Sequence, residues 1–181
     1  MKKRIVEAYV GEYASGKSEL AVNRAIALAN SGHKVTVVDL DLVEPCYTLR
    51  SLQDELRARG VKVLAWQTSE TRGLGESGQT ILPAARWSLR LDSDLIFDIG
   101  YGVGGSRVLN LIEGADRDPD LEILLVANFS RPLIYSVDLL VEYAQGLGRL
   151  DGLIANTHLD RETTPEIVWN GLKKRNRLPR F

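Results

Sequence analysis

The chain has 181 residues, 44% of them hydrophobic and 26% charged, with a formal net charge of −1 at pH 7. That composition suits a soluble globular domain with a proper core, and near-neutrality removes the electrostatic case for nucleic acid or an anionic membrane surface. A single cysteine, Cys46, excludes an internal disulfide and a cysteine-only metal site, and no apolar run approaches the ~20 residues that a bilayer-spanning helix needs.

The N-terminal Met1-Lys2-Lys3-Arg4 is basic, but the apolar stretch behind it stops at Gly11, too early for a signal peptide. The expectation is a cytoplasmic protein. Ile5-Val6-Glu7-Ala8-Tyr9-Val10 reads as a buried strand, and residues 20–29 carry the spacing of a helix. Between them stands Gly11-Glu12-Tyr13-Ala14-Ser15-Gly16-Lys17-Ser18, which fits G-x-x-x-x-G-K-[ST] without a mismatch. Strand, glycine-bearing turn and helix N-terminus in that order predict a phosphate-binding loop, in which main-chain N–H groups and one ammonium meet a compact polyanion. The candidate nucleotide contacts are Gly11, Tyr13, Ala14, Ser15, Gly16, Lys17, Ser18 and Glu19. Lys17 is expected to reach the β/γ-phosphates and Ser18 to ligate Mg²⁺. Glu12 places a carboxylate inside this loop, which is unfavourable at short range to phosphate and predicts a side chain turned away from it.

Residues 34–39 form a second predicted strand behind a Ser31-Gly32 helix stop, with His33 as a solvent-facing turn residue. A helix over 51–59 is ended by Gly60, and 61–65 is a third strand. Residues 67–79 read as a long loop of the kind that is often functional. Residues 80–91 are predicted helical with Pro83 in the first turn, and 94–99 are a fourth strand. A fifth strand is predicted over 121–127, a helix over 133–145 with Pro132 at its start, a sixth strand over 152–155 and a last helix over 164–174. The basic residues Lys173, Lys174, Arg175, Arg177 and Arg180 near the end suit a solvated helix C-terminus. Apolar strands alternating with helices imply an α/β fold: a doubly wound, mainly parallel sheet with helices on both faces, in one domain over residues 1–181.

In such sheets ligands gather at the carboxyl ends of the strands. Asp39 and Asp41 end strand two, Asp98 ends strand four, Asn128 strand five and Asn156 strand six. Asp39 and Asp41, two apart, are placed to share a metal-water shell and an attacking water between them. Asp98, behind Leu95-Ile96-Phe97, has the position of a second metal-supporting acid. The glycines at 100, 102, 104 and 105 make a segment able to move when a γ-phosphate leaves.

Taken in order, the loop with Ser18, then Val37-Val38-Asp39-Leu40-Asp41, then Asp98-Ile99-Gly100, then Asn156, resembles the MinD/ParA/CobQ group of P-loop NTPases. The likeness covers roughly the first 160 residues. It implies Mg-ATP as cofactor and association of two protomers across the nucleotide. By position it makes Lys17 a phosphate contact, Ser18 a Mg²⁺ ligand, Asp41 the residue that places the hydrolytic water, Asp39 and Asp98 supports of the metal shell, and Asn128 and Asn156 adenine contacts. The chain departs from the group at Glu12, where the group has a lysine that reaches across the dimer. It also stops where the group continues with another strand and helix. Asn156-Thr157-His158-Leu159 lacks the lysine and aspartate of the Asn-Lys-x-Asp pattern that reads guanine, which favours ATP over GTP.

Three function classes fit these residues. The first is a nucleoside-triphosphate hydrolase with slow turnover controlled by a protein partner. The second is an ATP-dependent synthetase or amidotransferase-type enzyme that uses the 67–79 loop for a second substrate. The third is a nucleotide-binding module that does not hydrolyse. Arg72, Arg107 and Arg131 lie in loops from which an arginine could reach the γ-phosphate.

Overall fold

The computed structural model describes residues 3–42, 49–66 and 80–177. Six strands make one all-parallel sheet: β1 (Val6–Val10), β2 (Val35–Leu40), β3 (Val61–Leu64), β4 (Asp94–Ile99), β5 (Leu121–Ala127) and β6 (Gly152–Ala155), in the order β3-β2-β4-β1-β5-β6. The strands β1, β2 and β4 are buried at every position, as expected of a parallel sheet covered on both faces. Alternation along each strand then divides the core in two. Tyr9, Val37 and Ile96 face α1 (Lys17–Asn30) and α2 (Gln53–Ala58), whereas Val10, Val38 and Phe97 belong to the opposite layer. That second layer is closed by α3 (Pro83–Arg86) through Ala85, by the turn at Arg107–Leu111 that follows α4 (Gly102–Ser106) through Leu109, and by α5 (Val137–Leu147) through Leu140. The sheet is therefore doubly wound, as the alternation of elements implied.

The helix α1 buries Lys17, Ala21, Ala25 and Leu28, a stripe of the right period for packing against the sheet. The helix α6 (Pro165–Arg175) begins at a Thr164 cap and presses Gly171 onto Thr157 so closely that a side chain at 171 would collide with it.

Several expectations need correction. The helix predicted over 80–91 is one turn, α3, followed by a 3-10 turn at Ser88–Arg90. The carbonyl of Arg86, which a continuing α-helix would use, accepts instead from the N–H of Glu113 at 2.9 Å, and Arg90 N–H turns back to Trp87 O. The helix predicted from 133 starts at Val137, because Ser136 supplies the cap, its hydroxyl accepting from Leu139 N–H. The glycine segment after β4 holds the short helix α4, with a further 3-10 turn at Arg107–Leu111. His33 is not solvent-facing: its Nδ1 lies 2.5 Å from Asp94 Oδ2. The 67–79 loop, Cys46 and Arg72 fall outside the described residues.

Candidate phosphate-binding site

The loop from Gly11 to Ser18 joins the middle strand of the sheet to the first helix, and both ends are fixed. Tyr9 of β1 donates its hydroxyl to Glu7 Oε2 at 2.7 Å, and the Arg24 guanidinium of α1 clasps both oxygens of Glu7, with Nη2–Oε1 at 2.7 Å and Nε–Oε2 at 3.0 Å. This fork clamps α1 to β1 below the loop. Inside it, Ser15 N–H donates to Glu12 O at 3.2 Å, closing a turn. A Cβ on Gly11 would stand 2.6 Å from Val126 O and 2.9 Å from Ser15 Oγ, so only glycine lets the loop leave the sheet beside β5. Gly16 enters α1 in the left-handed region at φ +91°.

The two functional side chains of the motif point to one place. Lys17 is buried, with 7% of its surface exposed, and its Nζ donates to Glu12 O at 3.1 Å. Ser18 Oγ donates to Asp98 Oδ1 at 3.1 Å. Asp98 is fully buried at the end of β4, in register with Tyr9 of β1 and Asp39 of β2. Burial pushes its carboxyl up to about 7; the Ser18 hydrogen bond and Lys17 oppose this, and the charges of Asp39 and Asp41 add to it. Its second oxygen, Oδ2, is buried without a hydrogen-bond partner among the described residues, a costly arrangement for a structural carboxyl. Asp39, 7% exposed, accepts from Asp41 N–H at 3.1 Å through Oδ1. Asp41 itself lines a cleft of about 160 Å³ together with Tyr13, Ala14, Gly16, Lys17, Ser18, Glu19 and Tyr101. That volume is below the ~300 Å³ at which ligand pockets begin, so it matches a phosphate group rather than a whole nucleotide.

The donor set is one hydroxyl and carboxylates, which is hard-oxygen chemistry suited to Mg²⁺. Among the described residues no three Asp, Glu, His or Cys side chains group closely enough to hold a metal by themselves. Mg²⁺ fits this, because it takes one or two protein oxygens and completes its shell with water and phosphate. The orphaned Asp98 Oδ2 and the Ser18 hydroxyl are the groups such an ion would use.

The segment after β4 is tied to the loop. Gly102 N–H donates to Gly11 O at 3.2 Å, and the rings of Tyr13 and Tyr101 meet edge to face with centroids 5.4 Å apart. Glu12 turns away from the cleft: its Oε2 accepts from Tyr13 N–H at 3.0 Å, and its charge, after burial itself, raises the phenol of Tyr143 in α5. Glu12 therefore faces this chain's own α4 and α5.

At the other end of the rim the two asparagines are bonded to main-chain groups. Asn128 is 4% exposed; its amide donates to His158 O at 2.8 Å and its Oδ1 accepts from Ser130 N–H at 3.0 Å. Asn156 donates its amide to Ser15 O at 2.8 Å. Both amides brace loops. Arg107 lies between α4 and β5, in a separate hollow lined by Val10, Leu147 and Arg149. Lys174 is not simply a solvated helix end, since its Nζ donates to Tyr135 O at 2.9 Å and sits over the Phe129 ring.

Solved structures show the same architecture. The chain is similar to the signal recognition particle receptor FtsY of Elizabethkingia anophelis (TM-score 0.59, 17% identity, 84% of this chain and 50% of that one). It is similar also to the cell division protein FtsY of Thermotoga maritima (0.59, 15%, 98% and 60%). A third likeness is to the BceF tyrosine kinase domain (0.52, 22%, 82% and 67%). The fold is that of the P-loop NTPases. This chain spans about half to three-fifths of the length of the FtsY chains it matches. No protein-family model and no curated protein matches the sequence. Among the described residues no helix is long and apolar enough to cross a membrane.

Proposed function

We propose that this chain binds Mg-ATP in the Gly11 to Ser18 loop and hydrolyses it slowly under the control of a protein partner, as a cytoplasmic member of the MinD/ParA/CobQ group. The observation that carries the proposal is the convergence of Lys17, Ser18, Asp98 and Asp41 on one rim, with Ser18 already hydrogen-bonded to Asp98. Phosphoryl transfer needs little covalent help from a protein; it needs positioning and charge stabilisation. Lys17 would exchange a neutral carbonyl, Glu12 O, for phosphate oxygens, a gain in charge-assisted bonding. Ser18 and Asp98 would hold Mg²⁺, with Asp39 supporting its water shell, and the ion would supply neutralisation of phosphate charge. Asp41, half-buried at the mouth beside Ser18, would orient the attacking water.

ATP is preferred to GTP because the residues after β6 lack the guanine-reading lysine and aspartate. The rival is GTP, favoured by the fold likeness to FtsY, one of whose structures is a complex with GDP. The inward Glu12 favours a further reading. This loop offers no cation to a second protomer, so a dimer across the nucleotide would form without it, and a module that holds ATP without turnover is the alternative to the hydrolase.

Thermal unfolding with Mg-ATP, Mg-ADP, Mg-GTP and Mg-GDP tests the proposal. A ligand at about 100 times its dissociation constant stabilises by about 2.7 kcal/mol. The proposal expects the larger shift with adenine nucleotides and measurable phosphate release. A larger shift with guanine nucleotides selects GTP, a shift without phosphate release selects the binding module, and no shift with any of the four overturns the site.

A further inference from the structure

Asn156 follows the last residue of β6, and its own N–H donates to Ala127 O at 2.8 Å. That bond carries the β5–β6 ladder one residue beyond the strand and fixes where the side chain leaves the rim. The side-chain Nδ2 then donates to Ser15 O at 2.8 Å, across 141 residues of sequence. The support behind it is rigid. The neighbouring Thr157 is 5% exposed and packed against Gly171 of α6, and the carbonyl of His158 is held by the buried Asn128.

The accepting carbonyl lies inside the phosphate-loop motif, and the peptide it belongs to matters. A trans peptide is planar, with its C=O and N–H pointing in opposite directions, and the described chain has no cis peptide bond. A Ser15 carbonyl held outward on Asn156 therefore sends the Gly16 N–H the other way. Gly16 lines the cleft with Lys17 and Ser18. Gly16 also shows how closely the two parts fit, since a Cβ built on it would collide with Asn156 Nδ2. An asparagine can donate here; an aspartate of the same shape has only acceptor oxygens and would face the Ser15 carbonyl with a like dipole.

We propose that Asn156 is a positioning residue of the phosphate loop: its amide turns the Ser15–Gly16 peptide so that the Gly16 N–H is presented to the ligand's polyphosphate. This inference rests on the reading of the loop as a polyphosphate site, and it assigns Asn156 to the phosphate end rather than to the base. A residue that reads the base affects only ligands that have one. A residue that sets the loop affects every polyphosphate alike.

The test is calorimetric titration of the wild-type chain, Asn156→Ala and Asn156→Asp with Mg-ATP and with Mg-tripolyphosphate, which carries no base. Each protein's thermal midpoint is measured without ligand. Removing one hydrogen bond of this kind is expected to weaken both ligands by the same factor, about five- to tenfold. Asn156→Asp should weaken both further, and the ratio of ATP to GTP affinity should stay within about twofold of wild type. If Asn156→Ala unfolds, the isosteric Asn156→Asp carries the comparison. A wild-type chain that binds both ligands, with tripolyphosphate affinity unmoved in the variants, overturns this inference and leaves the phosphate site standing. A wild-type chain that binds neither ligand overturns the phosphate site and this inference with it.

Discussion

The two ends of the carboxyl rim are built differently. At the end beside β1, β2 and β4, the side chains of Lys17, Ser18 and Asp41 line a cleft, and Asp98 Oδ2 is buried there with no hydrogen bond among the described residues. At the far end, beside β5 and β6, Asn128 is bonded at both ends of its amide, and Asn156 gives its amide to the phosphate loop. A buried carboxyl oxygen without a hydrogen bond is destabilising by itself and makes sense in a binding site. At the second end, both asparagine amides are spent on main-chain groups, which makes sense as scaffold, although Thr157 Oγ1 and Arg131 Nε nearby are also buried without a hydrogen bond among the described residues. Unsatisfied buried groups cost ~1–3 kcal/mol each, so where a fold keeps one, a functional reason is to be sought there first.

Substitutions at the two ends should therefore have different consequences. The largest effect is expected at Asp41. Asp41→Ala should leave Mg-ATP affinity within about threefold of wild type while phosphate release falls about 100-fold or more, the scale of losing a positioned acid–base or water-orienting group. Steady-state turnover beside calorimetry decides it; parallel losses in both would make Asp41 a binding residue instead.

Next comes Asp98. Asp98→Asn should weaken Mg²⁺-dependent nucleotide binding by roughly 10- to 100-fold, and yet raise the ligand-free thermal midpoint. Burial holds its carboxyl at about 7 in the folded chain, against an ordinary 3.8. The folded state thus holds this proton more tightly than the unfolded one. Below about 4 the group is protonated in both states and costs nothing; from there the penalty on folding grows with pH and is complete above about 7. Wild-type protein should accordingly gain stability as pH falls from 8 toward 5 by this group, and Asp98→Asn should lose that slope. Denaturant titrations at several pH values measure it, and an unchanged slope in the variant would remove Asp98 as its source.

Asn128 tests the scaffold end. Asn128→Ala strips two buried loop contacts and should destabilise by about 1–3 kcal/mol, with the preference between ATP and GTP unmoved. A large change in that preference at unchanged stability would return Asn128 to the base. Smaller still in its effect on the ligand, Gly171→Ala pushes a methyl into Thr157 and should cost about 1–3 kcal/mol of stability with less than a twofold change in ATP affinity.

The same contrast explains what was legible in the sequence. The strands β4, β5 and β6 fall at the bounds that apolar runs predicted, and β1 and β2 within a residue; for β1, β2 and β4, buried at every position, the reason is that a strand covered on both faces writes itself as a mostly apolar run. The loop from Gly11 to Ser18 was legible because its geometry is local, set by glycines and a helix start within eight residues. The bond from Asn156 to Ser15 was not legible because the two residues are 141 apart, a separation no local pattern encodes. The overlong helix at 80–91 failed for a related reason: Arg86 O is captured by Glu113 N–H from another segment, and tertiary contact overrides helix propensity. The late start of α5 was readable in principle, since Ser136 with Asp138 in the first turn is a good cap, but Pro132 drew the boundary too early.

The central claim is that the loop before α1 is aimed at a polyphosphate. Titration of the wild-type chain and Lys17→Ala with Mg-ATP tests it most directly. The wild type is expected to show one saturable site, and Lys17→Ala an affinity lower by about 100-fold, the scale of a charge-assisted bond lost, with both proteins folded. Equal affinity in the two proteins would contradict it.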